Sequence, residues 1–226
     1  MSGKIKSYFL FNANQKNENS VSEISRKKRF EFFGDFCRKL NKPFPLRILD
    51  LGGSDYHWRK SGFVNDKNFQ ITIVNTESQD LSGMDNFIYL KKDVTDLSDF
   101  KDEEFDIVYS NSLIEHINTE YLQLKLAENI RRIGKHYFIQ TPNYYFPIEP
   151  HFLFPFFQYL PLNLRAALVK KFDLGWYDRQ PDTVKAFELA SSIKLLSQKE
   201  LKKLFPDGNI YHEKYLFLNK SFIIYK

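Results

Sequence analysis

Cys37 is the only cysteine among 226 residues. A single thiol excludes an internal disulfide and, with no secretory leader evident at the N-terminus, points to a reducing, cytoplasmic setting. Cys37 lies in an apolar helical stretch, which reads as a core position. No apolar run is long and uncharged enough to span a membrane, because the richest, Tyr144 to Leu164, is interrupted by prolines, Glu149 and His151. Peripheral contact with a membrane surface stays open. Dense basic clusters are missing too: 33 Lys and Arg against 28 Asp and Glu give a net charge of +5, spread along the chain. That spread excludes a compact nucleic-acid footprint and suits an anionic small substrate equally well. Internal repeats and low-complexity segments are also absent.

What is present is a globular balance of 42% hydrophobic and 27% charged residues, with 23 Phe and 13 Tyr. That composition predicts one self-folding domain over 1–226 with an interior or pocket rich in rings. Residues 1–41 read as an N-terminal helical cap segment. Its opening is polar apart from Tyr8 to Phe11, and a helical pattern then runs through Ile24, Phe30, Phe33, Phe36 and Leu40. Short strands are predicted over 46–51, 69–75, 87–91, 105–110 and 136–140. A helix over 120–133 precedes the last of these, closed by Gly134 as a C-cap. This spacing predicts an α/β chain with a parallel sheet and crossover helices. The stretch 141–180 is too long for a simple connection and reads as an aromatic substrate-binding or lid insertion. A helix over 197–204 opens with Ser197 and Glu200 as a capping box. Two final strands, 210–218 and 221–225, are predicted to flank a turn at Asn219 and Lys220.

Chemistry enters at Ile48-Leu49-Asp50-Leu51-Gly52-Gly53-Ser54, an apolar strand with an acid near its end followed by two glycines. Glycines there let the backbone approach a ligand, and a following helix start offers unpaired N–H groups. The phosphate signatures are missing, both Gly-x-Gly-x-x-Gly and the Lys-Ser/Thr of a P-loop. A carboxylate at Asp50 repels phosphate and suits a cationic amino-acid ligand. Three more polar stations follow at strand ends, where open α/β sheets bind ligands: Asn75, Asp93 and Ser110-Asn111. Each taken alone is also an ordinary cap or turn residue.

In that order, with Lys92-Asp93-Val94-Thr95-Asp96-Leu97, the run Phe105 to His116, and Thr141-Pro142-Asn143, the series resembles the class I S-adenosylmethionine-dependent methyltransferases over about 46–140. The resemblance implies a Rossmann-like fold: a mainly parallel seven-stranded sheet with an antiparallel C-terminal strand and helices on both faces. It implies S-adenosylmethionine as cofactor, released as S-adenosylhomocysteine. It places Gly52 and Gly53 against the cofactor, with Asp50 and Ser54 beside them, Asp93 at the adenine amino group, Val94 at the ring edge and Ser110-Asn111 at the methionine end. The family commonly holds the ribose with a carboxylate after the second strand. That position is Asn75 here, with Glu77 two residues on as the alternative.

Methyl transfer to a hydroxyl needs a positioned base. Glu115 and His116, after the fourth strand, and Glu149 and His151, in the insertion, are the candidates. His116 is also read as shaping the cofactor pocket. The segment Thr141 to His151 resembles one found in methyltransferases of bacterial surface-polysaccharide clusters, which implies a sugar-derived small-molecule acceptor near Asn143, Tyr144 and Tyr145. Phe152, Phe154, Phe156, Phe157 and Tyr159 read as closing over the site, or as a lipid or subunit surface. His57 and His212 read as surface or packing residues. No metal is expected. A lipid-linked or quinone-like acceptor, and a non-catalytic subunit of the same fold, are the rival readings, and monomer and homodimer are both open.

Overall fold

Strand β1 (Leu46–Leu51) is buried at nearly every position, with alternate side chains entering two different cores, as expected of a strand covered on both faces. Leu49 and Leu51 join one core, Leu46 and Ile48 the other. The same alternation runs through β2 (Phe69–Asn75), β4 (Phe105–Asn111), β5 (Gly134–Pro142) and β9 (Leu218–Tyr225). The computed structural model describes residues 20–226, so the Tyr8 to Phe11 patch and the first part of the cap segment lie outside the described residues.

Helix α1 (Val21–Lys39) starts at Ser20, whose side chain accepts from the Glu23 N–H, and it lays Phe30, Phe33, Phe36 and Cys37 on one face of the sheet. Cys37 is a core residue, and burial pushes its thiol up to about 12. The short helix α2 (Asp55–Trp58) adds Trp58 to that layer. The opposite face carries α3 (Glu120–Ile133) and, later in the chain, α6 (Gln198–Leu204), which opens with the expected Ser197–Glu200 capping box. With β3 (Phe87–Lys91) and β8 (Asn209–Tyr215) the sheet has seven strands in the order β3-β2-β1-β4-β5-β9-β8. Strand β9 pairs antiparallel with both β5 and β8; the other pairings are parallel. The order reverses beside β1, so the C-terminal ends of β1 and β4 border the crevice in which such sheets bind ligands.

Gly134 closes α3 as its C-cap, as expected, its N–H donating to the Ile130 carbonyl. It is also the first residue of β5, with an extended φ of −105°. A side chain there would meet the Val108 side chain at 2.7 Å, so close strand packing is what requires glycine. The final turn falls at Leu216 and Phe217, with Leu216 at φ +55°, while Asn219 and Lys220 are strand residues.

The expected place of that turn is thus corrected, and so is the aromatic segment. Beyond β5 the chain forms a small β6 (Ile148–Glu149) and β7 (Phe154–Pro155) pair, a 3₁₀ turn over Phe157–Tyr159, helix α4 (Leu162–Lys171) and helix α5 (Thr183–Ser191). The unit runs past residue 180, because Ala186 and Ala190 of α5 and Ile193 and Leu195 complete its core. Phe152 and Phe157 stack at 4.2 Å inside that core, so these rings hold the insertion together and do not face the main cavity. Their irregular sequence spacing reflects the turns that flank β7, which follow neither a strand nor a helix period.

Candidate active site

The two-glycine turn after β1 is shaped by contacts that exclude side chains. Gly52 has φ +74°, and a Cβ there would lie 2.8 Å from Leu113; at Gly53 it would lie 1.6 Å from Oδ2 of Asp50. Asp50 is fully buried and accepts from Trp58 Nε1 at 2.6 Å through Oδ2, while Oδ1 has no partner among the described residues. Burial drives its carboxyl up to about 7, against the Trp58 bond, which lowers it. Both amide functions of Asn75 are used in bracing the turn: Nδ2 donates to the Gly53 carbonyl at 2.8 Å, and Oδ1 accepts from the Glu77 N–H at 3.0 Å. A carboxylate in its place could not donate to Gly53. The departure of Asn75 from the pattern that the resemblance implies therefore has a structural cause, and the exposed Glu77 is the side chain left at this strand end.

A cavity of about 520 Å³, within the range of small-molecule sites, opens against this turn. Its walls include Asp50, Gly52, Gly53 and Ser54, then Asn111, Ser112 and Gln140 from the ends of β4 and β5, and His116 and His151. Of the other sequence-predicted stations, Ser110 is spent inside the sheet, donating to the Leu51 carbonyl at 3.1 Å. Val94 is a core residue, and Asp93 lies exposed after β3, accepting from the Thr95 N–H and hydroxyl at 2.8 Å each. None of these lines the cavity, nor does Asn75.

Two side chains that sequence reasoning set aside or missed reach the same cavity from α1. Arg26 and Arg29 are buried, and Arg29 makes a paired contact with Glu213 (Nε to Oε1 3.0 Å, Nη2 to Oε2 2.8 Å) and donates to Oδ1 of Asn111. Arg26 pairs with Glu23 and keeps a buried Nε without a partner among the described residues. Lys220, from β9, joins them on the wall, and burial with the nearby Arg29 charge lowers it to about 8. His57, read as a surface or packing residue, also lines the cavity: it meets Ser54 Oγ at 3.2 Å, and burial with the Arg26 charge holds it down to about 4. His212 packs against the Phe222 ring, as expected.

The insertion supplies the other end. Glu149 is buried and accepts from the His151 N–H (2.8 Å) and the Phe152 N–H (2.6 Å) through Oε2, and from His151 Nδ1 (2.7 Å) through Oε1. So occupied, Glu149 cannot itself take a substrate proton; it fixes the His151 ring and leaves Nε2 as that ring's open nitrogen. Burial disfavours protonated His151, but the Glu149 bond and the Glu149 and Glu115 charges outweigh it and raise its pKa. His116, opposite, has its ring 4.9 Å from that of His151, and burial with the His151 charge lowers it to about 4. Glu115 is entirely buried: Thr141 Oγ1 donates to its Oε2 at 3.0 Å, and burial raises its carboxyl. Asn143, Tyr144 and Tyr145 do not reach this cavity. Asn143 ties the strand end to the Asn219 carbonyl, and the two tyrosines border a second cavity of about 650 Å³ on the far side of Glu149.

Residues 67–136 match the family model described as a methyltransferase domain. Solved structures extend the likeness over the chain. A SAM-dependent methyltransferase from Aquifex aeolicus is 12% identical, with 97% of this chain and 96% of that one covered at a TM-score of 0.51. The chain has the fold of the S-adenosylmethionine-dependent methyltransferases. The Burkholderia thailandensis 1,6-didemethyltoxoflavin-N1-methyltransferase, solved with S-adenosylhomocysteine, is 10% identical over 98% and 85% of the two chains, TM-score 0.56. The CurJ carbon methyltransferase is 10% identical, TM-score 0.58, over 91% of this chain and 54% of its own. No curated protein sequence matches the chain. Beside the β1 turn the side chains suit a zwitterionic amino-acid moiety: Oδ1 of Asp50 for its ammonium and Nε of Arg26 for its carboxylate, both buried without a partner among the described residues and on one cavity wall. Among the described residues no helix is long and apolar enough to cross a membrane.

Proposed function

We propose that the chain transfers a methyl group from S-adenosylmethionine to a hydroxyl of a small, sugar-derived acceptor, with S-adenosylhomocysteine as the second product. When bound, the cofactor supplies an electrophilic methyl on a sulfonium. Asp50 and Arg26 hold its amino-acid end against the Gly52-Gly53 turn, and Glu77 and Asp93, at successive strand ends, take the ribose and adenine. Leu51, Ser110 and Asn75 support that end from within the sheet and turn. The observation that carries the reading is His151, held through Nδ1 by the buried Glu149, on the wall of the cavity that also contains Asp50 and the glycine turn. The acceptor lies between His116 and His151, among Phe146, Ile148 and Trp176, an arrangement of rings and hydrogen-bonding groups suited to a polyol. His151 Nε2 receives the hydroxyl proton as the oxygen–carbon bond forms and the carbon–sulfur bond breaks, and Glu149 is its positioning residue.

Calorimetric titration with S-adenosylmethionine and S-adenosylhomocysteine tests the cofactor site. Binding is expected in the native protein and weakened in Glu77→Ala and Asp93→Ala; no binding to the native protein sinks the reading. The His151→Ala variant, assayed against nucleotide-linked and free sugars, is expected to lose turnover at least about 100-fold with cofactor affinity unchanged. A second reading, an acceptor presented at a membrane, is favoured by the hairpin tip, where Leu216 is 77% and Phe217 94% exposed next to the cavity-lining Tyr215. Co-sedimentation with anionic vesicles, absent in Phe217→Ser, would support it, and no co-sedimentation would dismiss it.

A further inference from the structure

One feature of the acceptor end is left over by proton transfer to His151. Glu115 is 0% exposed and its Oε1 has no hydrogen-bond partner among the described residues. A carboxylate oxygen withdrawn from water without a partner costs free energy that some compensating group must offset. Among the described residues no Lys or Arg is paired with Glu115. Beside this carboxylate is a pair of imidazoles: one ligating atom each from Glu115, His116 and His151 lie within 4.8 Å of one another.

We propose that Glu115, His116 and His151 bind one divalent transition-metal ion, with open coordination positions facing the cavity. Two imidazole nitrogens and one carboxylate oxygen are a common protein ligand set for such ions and are less suited to magnesium or calcium, which prefer oxygen. Tetrahedral bonds of roughly 2.1 Å set ligand atoms about 3.4 Å apart, so side-chain rotations of about 1 Å close the present set around an ion. The surrounding shell is already in place. Glu149 holds Nδ1 of His151 at 2.7 Å and so directs Nε2 inward, the carboxylate–histidine–metal arrangement of many metal sites. Thr141 Oγ1 fixes the other oxygen of Glu115 at 3.0 Å and leaves Oε1 for the ion. His116 and His151 both line the cavity, so an acceptor oxygen there can complete the coordination. The expectation of a metal-free site, reasonable when Glu115 and His151 are 36 residues apart in sequence, does not anticipate this meeting.

This inference rests on reading the cavity as the acceptor site. In the metal-loaded protein His151 is a ligand, and the ion takes over the task assigned to it above, lowering the pKa of the bound hydroxyl, whose proton then leaves to solvent water.

The test is titration of chelator-treated, dialysed protein with Co(II), read by visible d–d absorption, and with Zn(II), read by calorimetry. One equivalent is expected to bind, with affinity reduced about 10- to 100-fold or more in Glu115→Gln, His116→Ala and His151→Ala. His116 faces the cavity, so its variant should fold even where the buried Glu115 variant does not, and circular dichroism checks each. No binding of either ion to the native protein overturns the proposal, as does equal binding in native and His116→Ala protein, which would put the ion on other side chains. S-adenosylhomocysteine titrated into the same samples separates the two failures. Cofactor binding without metal binding removes the metal site alone, and metal binding without cofactor binding removes the methyltransferase reading of the cavity.

Discussion

The Asp50 carboxyl makes the stability of the ligand-free protein depend on pH in a way that one atom can abolish. Burial raises its pKa from 3.8 to about 7. The unfolded chain, with the ordinary value, releases its proton first as pH rises, so the folded state binds more protons between the two values. The contribution of this group is fully present below pH ~4 and lost as pH rises through about 7. At about 1.4 kcal/mol per pH unit, the loss accumulates to about 4 kcal/mol at pH 8, an upper figure because water entering the cavity would soften it. Asp50→Asn keeps an acceptor for Trp58 and has no charge to desolvate. Its stability relative to the native protein is therefore expected to climb between pH 4 and pH 8 by several kcal/mol, measured as the difference between paired urea denaturation curves, in which titrations common to both proteins cancel. Ligand binding gives the complementary sign. A ligand ammonium favours ionised Asp50, so native affinity for S-adenosylhomocysteine should rise by up to tenfold per pH unit below 7 and lose most of that slope in Asp50→Asn. Parallel stability curves for the two proteins across this range would refute the claim that a buried, cation-seeking carboxyl sits at the turn.

Asn75→Asp brings the residue closer to the family pattern yet is expected to weaken cofactor binding, because it replaces the bond donated to the Gly53 carbonyl with a carboxylate facing it; tighter binding by calorimetry would show that Asn75 is no brace. Arg29→Ala leaves Glu213 buried without its partner and should cost about 3–5 kcal/mol in chemical denaturation, most of it recovered when Glu213 is also changed to Ala. A cost below ~1 kcal/mol would mean that water reaches the pair. Phe33→Ala, in the fully buried ring layer between α1 and the sheet, should cost about 3–5 kcal/mol in the same assay.

The sheet was legible because strands covered on both faces must be apolar almost throughout, as in Ile71 to Val74 or Tyr137 to Ile139, and because the glycines after β1 mark a turn that admits no side chain. The hairpin turn was misplaced for a related reason: Asn219 and Lys220 look like turn residues, but they are drawn into strand β9 by work at the site. The Asn219 carbonyl accepts from Asn143 at 2.8 Å, and Lys220 turns into the cavity. Leu216 and Phe217, which look like strand, form the exposed tip instead.

The arginines of α1 escaped notice because charged residues in a helix ordinarily belong to its solvated face. Their positions nonetheless carried a signal. Arg26, Arg29 or Phe30, Phe33, and Phe36 or Cys37 fall at helical spacing on one stripe, and that stripe is the buried one. A cation on a helix's buried stripe must either meet an acid or face a ligand. Arg29 does the first, with Glu213, and Arg26 keeps one nitrogen for the second. The acceptor end had no comparable signal, since Glu115 and His151 meet only through the packing of the insertion against β5, where Tyr144 N–H donates to the Leu196 carbonyl at 3.0 Å and closes the unit's two ends onto the sheet. Local pattern reports the scaffold and the turn that the scaffold forces. A constellation built from an insertion with its own core can be read only once that core has folded.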